Sequence, residues 1–259
     1  MDNKTITITL CDMAENHVGM QKIGKLVDEG FTLNDLLEIK KYFERKNATK
    51  IELIDLNYPI EKLDIYPDDE AYILVVRNGI DLLFKSIQPN KTSTDLFNEL
   101  RNLKWDTKAL MYGRVVNKHA RHNLCFGNQT QKPNYILGKS TVVAFDKVPL
   151  LNSIKNKISK ILGDKGTNLV AEGNYYYDTT KCGIGFHGDG ERKKVVGLRL
   201  GNSMPLEYQW FYMNKPVGER IKLNFEHGDI YFMSEKATGN DWKKKSIHTL
   251  RHAAGYKFI

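Results

Sequence analysis

The clearest chemical signal is a histidine and an aspartate two positions apart, His187 and Asp189, in the segment GFHGD of residues 185–189. Residues two apart on a β-strand point to the same face, so this imidazole and this carboxylate can converge on one ion. With a distant second histidine they would form the facial triad of non-haem Fe(II) oxygenases, which leaves positions for a bidentate cosubstrate and dioxygen. The alternative interpretation is a polar strand end with a turn at residues 188–190.

The third ligand could be either of two histidines in the C-terminal segment, His248 and His252. They stand four residues apart and would share one face of a strand. His248 precedes Lys257 by a spacing that would let a short hairpin at residues 253–256 bring this lysine onto the neighbouring strand. His252 lies in the sequence RHAA of residues 251–254 and is the preferred candidate, while both stay open.

Further motifs follow one another in a characteristic order around the histidine and aspartate. They are EGNYYYD at residues 172–178, VVGLRLG at 195–201, HGD at 227–229 and the apolar segment 230–234. This succession resembles the AlkB family, in which an N-x-Y element, an HxD strand, a strand with a serine-containing turn and a G-D turn occur in that order. The resemblance covers about Tyr112 to Ile259, and residues 234–255 resemble AlkB-like proteins of large DNA viruses. Arg199 departs from it, because the family often has serine there.

The resemblance implies a double-stranded β-helix that binds Fe(II) and 2-oxoglutarate. Asn174 and Tyr176 would donate hydrogen bonds to 2-oxoglutarate, and Arg251 and Lys257 are the candidate partners of its distal carboxylate, since a buried cation needs an anion. The implied activity is oxidative demethylation of N-methylated nucleobases in DNA or RNA, with O2 as co-reactant and a role in DNA repair. The RHAA segment also resembles prolyl hydroxylases, which keeps a protein side-chain hydroxylase open.

A basic segment with aromatic residues precedes these motifs, and it is the candidate nucleotide-recognition surface. Phosphate contacts and an aromatic ring for stacking are what a base-flipping enzyme needs. The candidate substrate-binding residues are Tyr112, Arg114, Lys118, Arg121 and His122. The alternative is a solvated basic loop. Another unusual segment, AENHVGM at residues 14–20, has no spacing that identifies a chemistry.

These motifs require strands, and the hydrophobic pattern predicts an α+β protein in two parts. Residues 1–104 are expected to form a small α/β domain, with a strand at 5–10, a helix at 32–43 capped by Thr32, and a hairpin whose strands, 71–76 and 80–85, flank Arg77-Asn78-Gly79. Residues 105–259 are expected to form the catalytic domain. Seven or eight short strands, with one helix at 150–162, are typical of a jelly roll.

Net charge, the length of apolar runs and the number of cysteines indicate which kinds of protein this chain could be. A net charge of +8 is compatible with nucleic-acid binding, and a non-catalytic nucleic-acid-binding barrel is the third hypothesis. No apolar run approaches the roughly 20 residues of a membrane span, and the N-terminus lacks a secretory pattern. With three scattered cysteines, the expectation is a protein of the cytoplasm or nucleus that is not secreted.

Overall fold

The computed structural model of the chain describes residues 3–257, which form β-strands and six α-helices. The strands are β1 (Thr5–Cys11), β2 (Met13–Glu15), β3 (Lys22–Gly24), β4 (Ile51–Asp55), β5 (Tyr72–Val76), β6 (Lys108–Met111), β7 (Arg114–Asn117), β8 (His122–Gly127), β9 (Val142–Ala144), β10 (Val170–Tyr176), β11 (Gly183–His187), β12 (Val195–Gly201), β13 (Met204–Tyr212), β14 (Lys215–Phe225), β15 (Ile230–Met233) and β16 (Thr249–Gly255). The helices are α1 (Leu33–Arg45), α2 (Tyr58–Glu61), α3 (Gly79–Ile87), α4 (Ser93–Arg101), α5 (Pro149–Leu162) and α6 (Glu235–Thr238). None of these helices is long and apolar enough to cross a membrane.

Two sheets contain most of the strands. The larger has eight strands in the order β4-β5-β15-β12-β1-β10-β8-β9, and the smaller has four in the order β11-β16-β13-β14. Neighbouring strands are antiparallel except for β8 and β9. Two separate ribbons, β2–β3 and β6–β7, complete the strand pairing. The predicted α+β class is confirmed, as mostly antiparallel sheets with helices.

The larger sheet has a hydrophobic core on each face. Its strands alternate, so that Ile6, Ile8 and Leu10 of β1 pack toward α1, α3, α4 and α5, together with the even-numbered residues of β12. The opposite face meets the smaller sheet across a second core, which includes Tyr176, Tyr231 and Trp210. The threonines of β1 lie on this second face, since residues two apart share a face.

Residues 1–104 and 105–259, predicted as two domains, contribute strands to the same sheet. Strand β1 lies between β10 and β12 and pairs with both along its whole length. Strand β5 pairs with β15, and β4 pairs with β5. The first hydrophobic core also draws residues from both segments.

The local elements largely follow the sequence pattern, with one clear error. Thr32 caps α1 in a capping box with Asp35, as the pattern predicts. The predicted second hairpin strand at residues 80–85 is wrong, because these residues lie in α3. Asn78 takes a left-handed conformation, as in a turn, but the chain then enters a helix that buries Ile80, Leu83 and Phe84 on one face. A short apolar run does not by itself distinguish strand from helix.

A buried carboxylate in the HGD turn joins the two segments of the chain. Asp229 accepts hydrogen bonds from the guanidinium of Arg77 at 2.7 Å and from the backbone N–H groups of Asn78 and Glu226. The same guanidinium contacts Glu52 on β4, which is more exposed. The aspartate of this turn therefore has a structural role at the edge between β5 and β15.

We expect Asp229→Asn to lower the free energy of unfolding by about 2–3 kcal/mol, because it leaves a partly buried guanidinium without its most buried carboxylate. Glu52→Gln is the matched control and should cost less than about 1 kcal/mol, since that end of the ion pair is more exposed. Urea unfolding of the three proteins measures both differences. Equal losses for the two variants would contradict the role assigned to Asp229.

Candidate functional site

A cavity of about 380 Å³ lies between the two sheets and contains the candidate metal ligands. Its wall on the larger sheet is formed by the inward-facing residues of β1, β10, β12 and β15. Its wall on the smaller sheet is formed by residues of β11, β13 and β16. The lining includes Thr7, Thr9, Asn174, Tyr176, Arg199 and Tyr231 on one side and Ile184, His187, Leu206, His252 and Ala254 on the other.

The structure brings His187, Asp189 and His252 together in this cavity. One potential ligand atom from each lies within 4.8 Å of the other two. The Nε2 atoms of both histidines are 3.8 Å from the same oxygen of Asp189, Oδ1. His187 ends β11 and pairs with His252 on β16, which explains why the two rings lie side by side. Among residues 3–257 this is the group of three such side chains that could hold a metal ion.

The surroundings of the two imidazoles are compatible with metal binding. His187 Nδ1 lies 2.8 Å from the carbonyl oxygen of Gly185, which can only accept, so Nδ1 is the donor of this hydrogen bond and Nε2 is the ring nitrogen directed toward the cluster. Burial lowers the pKa of His252 well below its usual range, and the neighbouring His187 and Arg192 lower it further. His252 is therefore a neutral imidazole, the form that binds metals.

A buried guanidinium lies behind the carboxylate of the cluster. Arg192 contacts Glu172 and Glu191, and its Nε is 3.9 Å from Asp189 Oδ2. The pKa of Arg192 is raised well above its usual range by these carboxylates, Asp189 foremost, against the opposing effect of burial. Arg192 thus lies within ion-pair distance of Asp189, while its hydrogen bonds to carboxylates go to Glu172 and Glu191.

His248, the alternative third ligand, does not join the cluster. It precedes β16, and its ring stacks on Tyr212 with the centroids 4.8 Å apart. The structure therefore favours His252, the histidine that lies within the strand.

Asn174 and Tyr176, the expected 2-oxoglutarate contacts, both line the cavity. Asn174 Oδ1 accepts hydrogen bonds from Arg121 and from Asn123. Arg121 also lines the cavity, so this predicted substrate residue lies beside the predicted cosubstrate residues.

The two predicted carboxylate partners, Arg251 and Lys257, lie outside the cavity lining. Arg251 points to the opposite face of β16 from its neighbour His252, and stacks between Phe211 and Trp242. The expected hairpin at residues 253–256 is also wrong, since β16 continues to Gly255. Lys257 follows the strand and is exposed. Neither cation faces the metal cluster.

Arg199 is the cavity cation that the sequence did not identify. It is 1% exposed, it lines the cavity, and its Nε and Nη1 atoms have no hydrogen-bond partner among the described residues. The sequence did contain a signal for it. In the apolar strand VVGLRLG, side chains alternate between two faces, and Arg199 lies on the face opposite to Val196, Leu198 and Leu200.

The rim of the cavity also contains residues without an assigned role in the sequence. The segment 15–18, from the AENHVGM string, forms part of the rim, together with Trp242 and Lys243 from the connection between β15 and β16. Burial raises the pKa of Glu15, and burial lowers the pKa of His17. The N-terminal segment therefore reaches the candidate site.

The remaining predicted substrate residues are spread over β7, β8 and the turns beside them. Tyr112 is 99% exposed at the tip of the β6–β7 ribbon, and Arg114 follows it. Lys118 donates to the side-chain oxygens of Asn16 and Asn123, and burial lowers its pKa to about 7. His122 stacks on Tyr177. Of these four residues, Lys118 is tied to the cavity rim through Asn16.

The turn that bears Asp189 depends on a glycine. A Cβ at Gly188 would lie 2.0 Å from the carbonyl oxygen of Gly239 and 2.6 Å from Cβ of Trp242. At Gly190 the nearest atom to such a Cβ is 3.5 Å away, which is ordinary contact. The space beside Gly188 thus excludes any side chain.

We expect Gly188→Ala to lower the affinity for Mn(II) by at least about 10-fold, because the turn must shift and move Asp189. Gly190→Ala is the control and should bind Mn(II) as the wild type does. Electron paramagnetic resonance of free Mn(II) measures the affinities. Identical binding by the two variants would show that the turn geometry does not control the cluster.

Comparison with known proteins identifies a viral relative of the chain. No protein-family model matches the chain. The chain is 56% identical over 257 residues to the "Uncharacterized protein R156" of Acanthamoeba polyphaga mimivirus, and the match covers 99% of this chain and 98% of the viral protein. With such identity over nearly the full length of both proteins, the chain belongs to the same family as this mimivirus protein.

Proposed function

We propose that the protein is an Fe(II)- and 2-oxoglutarate-dependent dioxygenase. The observation that carries the proposal is the convergence of His187, Asp189 and His252 inside one cavity. Two imidazoles and one carboxylate, with open positions beside them, are the donor set typical of non-haem Fe(II) oxygenases. The hydrogen bond from His187 to Gly185 and the position of Arg192 beside Asp189 supply outer contacts for two of these three ligands, whereas Nδ1 of His252 has no hydrogen-bond partner among the described residues.

The arrangement of strands is compatible with the double-stranded β-helix expected for this function. The four strands β11, β16, β13 and β14 face the strands β15, β12, β1 and β10 across a shared core. A jelly roll has two facing sheets of four strands each, and here the smaller sheet packs against the central strands of an eight-stranded sheet. Strand β1 comes from the N-terminal segment, so the proposed barrel uses both ends of the chain.

Different residues of the chain would bind the metal and the cosubstrate and line the space around the reacting atoms. Bound Fe(II) and 2-oxoglutarate would supply oxidation of a C–H bond by O2, with succinate and CO2 as the by-products. His187, Asp189 and His252 would hold the metal, and Asn174 and Tyr176 would orient the cosubstrate. The apolar part of the lining, which includes Leu206 and Met233, would limit the access of water to the reacting atoms.

For the substrate we propose an N-methylated nucleobase of DNA or RNA, whose methyl group would be hydroxylated and lost as formaldehyde. The rim supports this choice because it combines the aromatic ring of Trp242 with the cations Lys243 and Arg121. Lys244 and Lys245 extend the basic surface next to Trp242 and are exposed. Aromatic stacking and phosphate contacts are the interactions that extruded bases require.

A metal-binding measurement tests the assignment of the third ligand. We expect His252→Ala to lose Mn(II) and Fe(II) binding by more than about 10-fold, whereas His248→Ala should bind as the wild type does. Metal analysis after dialysis, together with Mn(II) resonance titration, gives the affinities. A wild-type protein that retains neither metal would remove the dioxygenase proposal.

Succinate release separates the substrate classes. With Fe(II), 2-oxoglutarate and O2, we expect methylated oligonucleotides to stimulate succinate and formaldehyde release, while proline-containing peptides should not. The double variant Lys243→Ala, Lys244→Ala should be stimulated less by methylated oligonucleotides. Its stimulation should also depend less on the salt concentration, because each lost phosphate contact makes oligonucleotide binding less sensitive to salt. Stimulation by peptides alone would instead indicate a protein hydroxylase.

A further inference from the structure

Arg199 is a buried cation that no carboxylate among residues 3–257 pairs with. Its guanidinium lies between the two sheets, over the ring of Phe225, with Nε and Nη1 sealed from solvent and without a hydrogen-bond partner among the described residues. A buried charge without a partner is costly for folding. Such a group is expected where a ligand of opposite charge completes the site.

A second unpartnered donor lies beside Arg199. Thr7 of β1 stands directly opposite Arg199 in the pairing of β1 with β12, and opposite Asn174 in the pairing with β10. The hydroxyl of Thr7 is buried and has no hydrogen-bond partner among residues 3–257. A guanidinium, a hydroxyl and an amide therefore form a row across three adjacent strands, on the floor of the cavity that holds the metal cluster.

We propose that Arg199 and Thr7 bind the carboxylate of 2-oxoglutarate that is remote from the metal. The identity of the ligand rests on the proposed dioxygenase function, whereas the need for an anion follows from the unpaired charge. Guanidinium groups match carboxylates because they offer parallel N–H donors, and the hydroxyl of Thr7 adds one more.

The other cations near the cavity have partners or lie elsewhere. Arg192 is surrounded by Glu172, Glu191 and Asp189. Arg121 donates to Asn174. Arg251 stacks on the outer face of β16. Arg199 is thus the fully buried cavity cation that offers free donors to an anion.

This assignment gives the N-terminal segment a role in the site. Thr7 belongs to residues 1–104, and β1 supplies the floor between Asn174 on β10 and Arg199 on β12. The carboxylate subsite is built by the N-terminal strand and its neighbours, and not by the C-terminal cations that the sequence suggested.

The test compares 2-oxoglutarate with 2-oxobutanoate, which has the same keto-acid end but lacks the distal carboxylate. Calorimetry is performed once with Mn(II) and once with EDTA. We expect the wild type to prefer 2-oxoglutarate by about 10- to 100-fold, in keeping with charge-assisted hydrogen bonds. Arg199→Met should bind the two acids equally, and Lys257→Met, the control, should keep the preference.

Stability provides an independent readout that a purely structural arginine would not give. Without ligand, Arg199→Met should melt at least about 2 °C higher than the wild type, because the substitution removes an unpaired buried charge. Thr7→Val keeps the shape of the side chain and should reduce the preference for 2-oxoglutarate several-fold. If Arg199→Met does not fold, the preference measured for Thr7→Val tests the carboxylate subsite instead, and an unchanged preference overturns it.

Equal affinity of the wild type for both acids, with Mn(II) and with EDTA, overturns the proposal. So does a preference that survives in Arg199→Met but disappears in Arg121→Met. If the wild type binds no metal, yet prefers 2-oxoglutarate in EDTA through Arg199, the carboxylate subsite stands and the dioxygenase assignment falls.

Discussion

Charge buried between two β-sheets is the constraint on which this site depends. Arg192 and Arg199 are both nearly inaccessible to solvent, but their surroundings differ. Arg192 contacts Glu172 and Glu191 and lies 3.9 Å from Asp189, whereas no carboxylate of the described residues contacts the guanidinium of Arg199. Since an apolar interior penalises a single charge far more than a pair, Arg192 is stabilised by its carboxylate partners, and Arg199 is the charge for which we propose a ligand.

Much of the local structure and part of the site could be predicted because they depend on short-range periodicity. The pairing of His187 with Asp189 needs only the two-residue repeat of a strand and the turn at Gly188. The capping box of α1 is likewise a local pattern. The same reasoning failed at residues 80–85, where four apolar side chains fit a helix as well as a strand, and packing against the larger sheet decided between them.

The position of Arg251 and Lys257 outside the cavity lining has a physical explanation in the alternation of side chains along a strand. Neighbouring residues of a strand face opposite sides, so once His252 points into the cavity, Arg251 must point out of it. Lys257 depended on a hairpin that would have interrupted β16, yet the strand is needed in full to pair with both β11 and β13. Strand alternation separates Arg199 from the apolar residues of β12, but it does not show that this face lines the cavity, because that follows from the pairing of β1 with β12, between residues far apart in the chain.

The same long-range pairing connects the N-terminal segment to the metal ligands. Asp12, immediately after β1, accepts hydrogen bonds from the backbone N–H groups of Lys193 and Lys194, which lie between the turn bearing Asp189 and the start of β12. Its second oxygen accepts from Val27, so the carboxylate also holds the segment that follows the β2–β3 ribbon. Strand β1 lies between β10 and β12, and Asp12 at its end is hydrogen-bonded to the chain before β12. The cavity is therefore built by residues from both the N-terminal and the C-terminal segment. The position of Asp189 therefore depends on residues that precede it by about 180 positions in the sequence, although its chemistry is visible in three adjacent residues.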